Sequence, residues 1–138
     1  MPPPSKIPQN FPEILEYIWW HVDKTLDREM IEASALVSAL YCVKNGVTFI
    51  IDHHASPFAI PGSLETIAKA FDRIGLSHLL CYEMSDRDGE GPGEQGLQET
   101  AEYLASGRQG HVGLHASFTV GDDLLQKAVA LAQSNEDE

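Results

Sequence analysis

Cysteine, positive charge and long apolar runs are all scarce in this 138-residue chain. Two cysteines, Cys42 and Cys81, cannot build a disulfide framework. Both lie within apolar runs, where a thiol packs as a small hydrophobe in a reducing compartment. Nine Lys and Arg stand against 21 Asp and Glu, a formal net charge of −12. A nucleic-acid surface needs a basic patch to displace counterions, so nucleic acid is excluded as a partner and the acidity reads as solubility. No apolar run approaches the ~20 residues of a membrane span, and Met1-Pro2-Pro3-Pro4 lacks the basic and apolar regions of a secretory signal. The expectation is a cytoplasmic protein with no membrane partner. HxH, HExxH and paired CxxC motifs are absent. Gly89, Gly91, Gly93 and Gly96 form a Gly-rich stretch, but without the spacing or the Lys of a phosphate loop.

What is present is a repeated unit of helix, apolar strand and polar strand end. Hydrophobic residues make up 43% of the chain and charged residues 22%, a balance that suits one globular domain over 1–138. A Pro-rich lead (1–10) precedes a helix over Phe11–Leu26, with Ile14, Leu15, Ile18, Trp19 and Val22 on one face. Trp19 and Trp20 are adjacent, so they cannot share that stripe. Asp27 is the N-cap of a second helix to about Lys44, closed by Asn45-Gly46. Val47–Ile51 reads as a strand buried on both faces. Ser63 caps a helix over Leu64–Ile74, Gly75 ends it, and Leu76–Tyr82 is the second strand. Met84–Gly96 reads as a polar loop, Leu97–Ser106 as a weak helix, and His111–His115 as the third strand. Asp122 or Asp123 opens the last helix, and 134–138 is an acidic, frayed tail. The alternation predicts an α/β fold with a parallel sheet.

In parallel α/β folds the chemistry collects beyond the carboxyl ends of the strands. Asp52, His53 and His54 end the first strand. Strand neighbours point to opposite faces, so at most one of the two histidines enters a common pocket; the other reading is a polar terminus with one solvated imidazole. Glu83, Asp86, Arg87 and Asp88 follow the second strand. They form either a substrate anchor, since Arg binds carboxylates bidentately, or a salt-bridged polar loop. His115 ends the third strand and is its functional candidate, while His111 lies at the other end. Four strand residues span roughly 13 Å, too far for both to bind one metal.

Four blocks carry a resemblance to a known family. They are Asn10–Glu16 with Trp19-Trp20 and Asp23-Lys24; Gly46-Val47-Thr48 with Ile51–Pro57; Leu80–Glu83 with Ser85–Gly89; and Gly113–Thr119. In this order they resemble the amidohydrolase superfamily, the closest branch being the aminohydrolases linked to selenium metabolism, related to chlorohydrolases and to cytosine- and guanine-type deaminases. The resemblance implies a (β/α)8 barrel, of which this chain matches about strands two to four with their helices. It implies a zinc or iron ion that activates water against a non-peptide C–N bond. The family's metal ligands, an HxH pair and later histidines and an Asp, have no counterpart here. What carries over is the substrate side: His115, the strand mouth at Asp52, His53 and His54, and the loop holding Glu83, Asp86 and Arg87. Relatives often carry Arg near His78 or within Glu99–Tyr103, and this chain has none there.

Two functions follow. One is a part of a metal-dependent hydrolase acting on a small molecule, without a metal site of its own. The other is a catalytically inactive α/β module that binds or oligomerises. Three barrel strands leave open sheet edges, so self-association or pairing with complementary barrel parts is expected.

Overall fold

A computed structural model describes residues 6–136. It contains three parallel strands in the order β1 (Phe49–His54), β2 (Ser77–Met84) and β3 (Gly113–Leu114), with helices between them. β1 pairs with β2 in the register Phe49↔Ser77 to His54↔Tyr82, and β2 pairs with β3 through Glu83↔Gly113 and Met84↔Leu114. The parallel α/β arrangement expected from the alternation is present.

The N-terminal helix is one path in three segments, α1 (Phe11–Ile14), a π-helical turn (Leu15–Trp19) and α2 (Trp20–Asp23). Asn10 caps it, accepting the Glu13 N–H at 3.0 Å. The π turn inserts one residue, so the Trp20 N–H bonds to Leu15 O rather than one residue later. This rotates the following residues out of the expected stripe, of which only Leu15 is buried.

α3 (Arg28–Lys44) begins as the sequence indicates, with the Asp27 carboxylate accepting the Met30 N–H at 2.8 Å. Its face of Ile31, Ala35 and Ala39 packs on α4 (Ser63–Ile74), whose Leu64, Ile67, Ala68 and Phe71 form the centre of the core. Leu80, Tyr82 and Met84 of β2 close that core from the sheet side, with Tyr103 of α5 (Glu90–Ala105) and Leu124 and Ala128 of α6 (Asp122–Glu136).

Several expectations need correction. β1 is not buried on both faces: its exposure alternates, with Phe49 48% and Ile51 63% exposed. It starts two residues later than expected and runs on through His54, so the histidines are strand residues. β2 likewise extends to Met84. Ser63 does not cap α4. Gly62 occupies the N-cap position in a left-handed conformation, and the buried Glu99 of α5 reaches across to accept the N–H groups of Gly62 and of Leu64 (2.9 Å). α5 begins at Glu90, inside the stretch expected to be loop. Gly93 and Gly96 serve close approach, since a Cβ on Gly93 would sit 2.8 Å from an Asp86 carboxylate oxygen and one on Gly96 2.9 Å from the Tyr82 ring. The third strand shrinks to two residues, supported by a bridge between Leu80 and Gly110. α6 runs through positions 134–136 of the expected tail, while 137–138 and residues 1–5 of the Pro-rich lead lie outside the described residues.

Candidate functional site

Strand parity decides which side chains meet. On β1, Phe49, Ile51 and His53 face the open side of the sheet, while Ile50, Asp52 and His54 face the helices. The register places Glu83 of β2 on the His53 side and opposite Gly113. The His115 N–H extends the β3 pairing by bonding Met84 O at 3.0 Å, which gives His115 the parity of Gly113. His53, Glu83 and His115 therefore converge at the carboxyl ends of three adjacent strands.

The turn after β2 adds Arg87, and the N-terminal helix adds Trp20 and Asp23 from above. Together these residues line a cleft of about 280 Å³. Arg87 organises it. Its side chain is only 6% exposed, donates to Asp23 at 2.9 Å, to Asp88 at 3.3 Å and to Glu83, and lies 5.3 Å from the Trp20 ring centre. Lys24 pairs with Asp88 at 2.6 Å, and His53 Nδ1 lies 3.8 Å from Glu83. Three carboxylates thus face two fixed cations. Burial raises the Asp23 carboxyl to about 6, and outweighs the opposing pull of Arg87.

The Thr119 hydroxyl lies 2.6 Å from His115 Nδ1 and 3.1 Å from Ala116 O, so the His115 ring is anchored through Nδ1. Burial holds this imidazole below its ordinary range. Trp20 and Phe118 flank it edge-on, with ring centres at 6.0 and 5.9 Å.

Three of the expected site residues lie elsewhere. His54 turns to the helix side, where it is 2.9 Å from Ser56 Oγ and edge-on to Tyr82. Burial, and secondarily the charge of His53, lower it to about 4. Asp52 lines an adjoining cleft of about 210 Å³ between β1 and α3, which shares Asp23, His53 and Ala55 with the first, and burial raises its carboxyl. Asp86 ties two loops together, accepting the Gly121 N–H at 2.7 Å while its own N–H bonds Thr119 O. The structure brings together His53, Glu83, Arg87 and His115. Sequence reasoning missed Trp20 and Asp23 as partners of this group, although the impossibility of burying Trp19 and Trp20 on one stripe was the available signal.

These donors do not fit a divalent ion. His54 points to the other face, His115 Nδ1 is spent on Thr119, and among the described residues no three His, Cys, Asp or Glu side chains are arranged to hold a metal.

Comparison with known proteins adds chemistry to this geometry. A 5-methylthioadenosine/S-adenosylhomocysteine deaminase of Thermococcus sibiricus is 32% identical over 120 residues, which is 82% of this chain and 27% of that protein. A 5'-deoxyadenosine deaminase of Methanococcus vannielii is 28% identical over 121 residues, covering 83% of this chain and 27% of its own. That of Methanopyrus kandleri is 24% identical over 119 residues. The relatives are deaminases. The chain spans about a quarter of the length of each of these three. No family model and no solved structure matches it.

Proposed function

We propose that the cleft is the substrate-recognising side of a deaminase-type amidohydrolase site, selective for an uncharged purine nucleoside. One observation carries this: His53, Glu83, Arg87 and His115 converge from three strand ends beneath Trp20 and Asp23. The similarity to adenosine-type deaminases supports the substrate class, and the parallel order β1-β2-β3 agrees with strands two to four of a (β/α)8 barrel.

Each residue has a physical task. Trp20 offers an aromatic wall for a flat heterocycle. His115 offers an imidazole anchored through Nδ1 to Thr119. Asp23 and Glu83 offer acceptors for hydroxyl or amino groups, held in place by Arg87. Three carboxylates against two already paired cations repel a phosphate, so nucleotides are disfavoured. In the family a zinc or iron ion supplies the activated water. The donors of this chain do not fit that ion, and none of its residues is assigned a step that depends on one. The divergence of His54 from His53 and His115 favours the second reading for the chain alone, a module that binds without turnover.

Titration calorimetry with 5'-deoxyadenosine and with adenosine monophosphate tests the assignment. Saturable binding of the nucleoside is expected, weakened at least about tenfold by the phosphate and by His115→Asn. No saturable heat with the nucleoside, or equal binding of the nucleotide, overturns it. Ammonia release measured in parallel separates a binding module from an enzyme.

A further inference from the structure

α3 carries two apolar stripes on opposite sides. One is the buried stripe of Ile31, Ala35 and Ala39. The other is Met30, Ala33, Val37 and Leu40, at spacings of three, four and three, with Tyr41 beside it. Met30 is 50% exposed, Val37 53%, Leu40 50% and Tyr41 65%. That spacing is the seam of a helix that packs against another helix. A seam needs a partner, and the geometry points to a second copy of this chain, packed antiparallel through α3 about a twofold axis between Leu36 and Val37.

Three observations favour a copy over another occupant. The seam is self-complementary about the midpoint of Leu36 and Val37: an antiparallel mate sets the small Ala33 against the large Leu40, and Lys44 at one end beside Glu29 at the other. Antiparallel helices also oppose their dipoles favourably. Second, this is where two such acidic chains can meet. The chain carries −12, but the segment 28–51 holds Arg28 and Lys44 against Glu29 and Glu32 and is neutral. Contact through this segment therefore brings no net like charge together. Third, the area suffices. The chain exposes 8247 Å², whereas a compact protein of its 15.2 kDa exposes about 7,100 Å². The surplus is of the order of the roughly 800 Å² each partner contributes to a standard interface, and Met30, Val37, Leu40, Tyr41 and Val43 of α3 are among the exposed large apolar side chains that make it up.

The inference is independent of the deaminase reading, since α3 contributes nothing to the strand-end cleft. Sedimentation velocity of the full chain across the micromolar range tests it. A reversible monomer–dimer equilibrium is expected. Val37→Glu places like charges beside the twofold axis and weakens the dimer at least about tenfold, with an unchanged far-ultraviolet circular dichroism spectrum. Lys44→Glu weakens it, and adding Glu29→Lys restores it, which only antiparallel self-pairing predicts. A monomer at every concentration overturns the proposal. So do open-ended oligomers, a dimer indifferent to Val37→Glu, and a double variant that fails to recover.

Discussion

The Arg87 guanidinium carbon lies 5.3 Å from the centre of the Trp20 ring while its nitrogens bond Asp23 and Glu83. One cation thus joins the N-terminal helix, β2 and the turn that follows it. The helix has little else to hold it, because its only buried residue is Leu15.

Removing this cation leaves Asp23 and Glu83 without their Arg partner in a half-buried space, with Asp88 held by Lys24 alone. Arg87→Met keeps most of the stem and its contact with Trp20, so it isolates the charge. Loss of one partner of a buried ion cluster costs about 3–5 kcal/mol. Urea denaturation should show a destabilisation of that order, and Trp fluorescence should report release of the N-terminal helix. A change within experimental error would mean the cluster is solvated and holds nothing.

His54 makes stability rise with pH. Its folded pKa, about 4, lies below the ordinary imidazole value of 6.5, so between these limits the unfolded chain binds more protons. Stability therefore increases from pH 4 to 6.5 and is lost on acidification through that window, by about 3 kcal/mol in all. His54→Gln removes this slope. Denaturation midpoints measured at half-unit steps of pH distinguish the two proteins.

Asp23 acts with the opposite sign. Its carboxyl rises from 3.8 to about 6, so the folded chain binds the extra proton. Its contribution is complete below pH 4 and lost as pH rises through 6. The Asp23→Asn variant should show a steeper rise of stability from pH 4 to 6 than the parent, because the opposing term has gone. An identical slope in both proteins would place Asp23 in solvent.

Gly96 tests the packing of α5 on the sheet. A Cβ there meets Tyr82 at 2.9–3.0 Å and Met84 Cγ at 3.1 Å, and Tyr82 and Met84 are both buried. Overpacking of this kind costs about 1–3 kcal/mol, against a gain of under about 1 kcal/mol in helix propensity. Gly96→Ala should therefore destabilise, read as a lowered midpoint of thermal unfolding. A stabilised variant would show that α5 moves freely on β2.

The parts of the fold that local chemistry controls were legible in the sequence. Asp27 caps α3, Gly75 ends α4 in a left-handed conformation, and the alternation of helices and apolar runs gives a parallel sheet. What was missed depends on contacts between distant residues. Gly89, Gly91, Gly93 and Gly96 read as loop, but the last three lie within α5, where the close approach of Gly96 to Tyr82 and Met84 of β2 offsets its poor propensity. Ser63 looked like a cap, but the role passed to Glu99, 36 positions away. For the site, strand parity anticipated that His53 and His54 part company. It could not foresee that a π turn would bring Trp20 and Asp23 over Arg87.

Glu99 has one more consequence. It belongs to α5, yet it terminates α4 by holding the N–H groups of Gly62 and Leu64. If either helix lifts away alone, a buried carboxylate loses its donors and two amides lose their acceptor. Fraying at the start of α4 is thereby coupled to opening in the middle of α5, with β2 lying between them in the chain. Residues 63–105 are expected to open as one unit, with amides that exchange with solvent together rather than element by element.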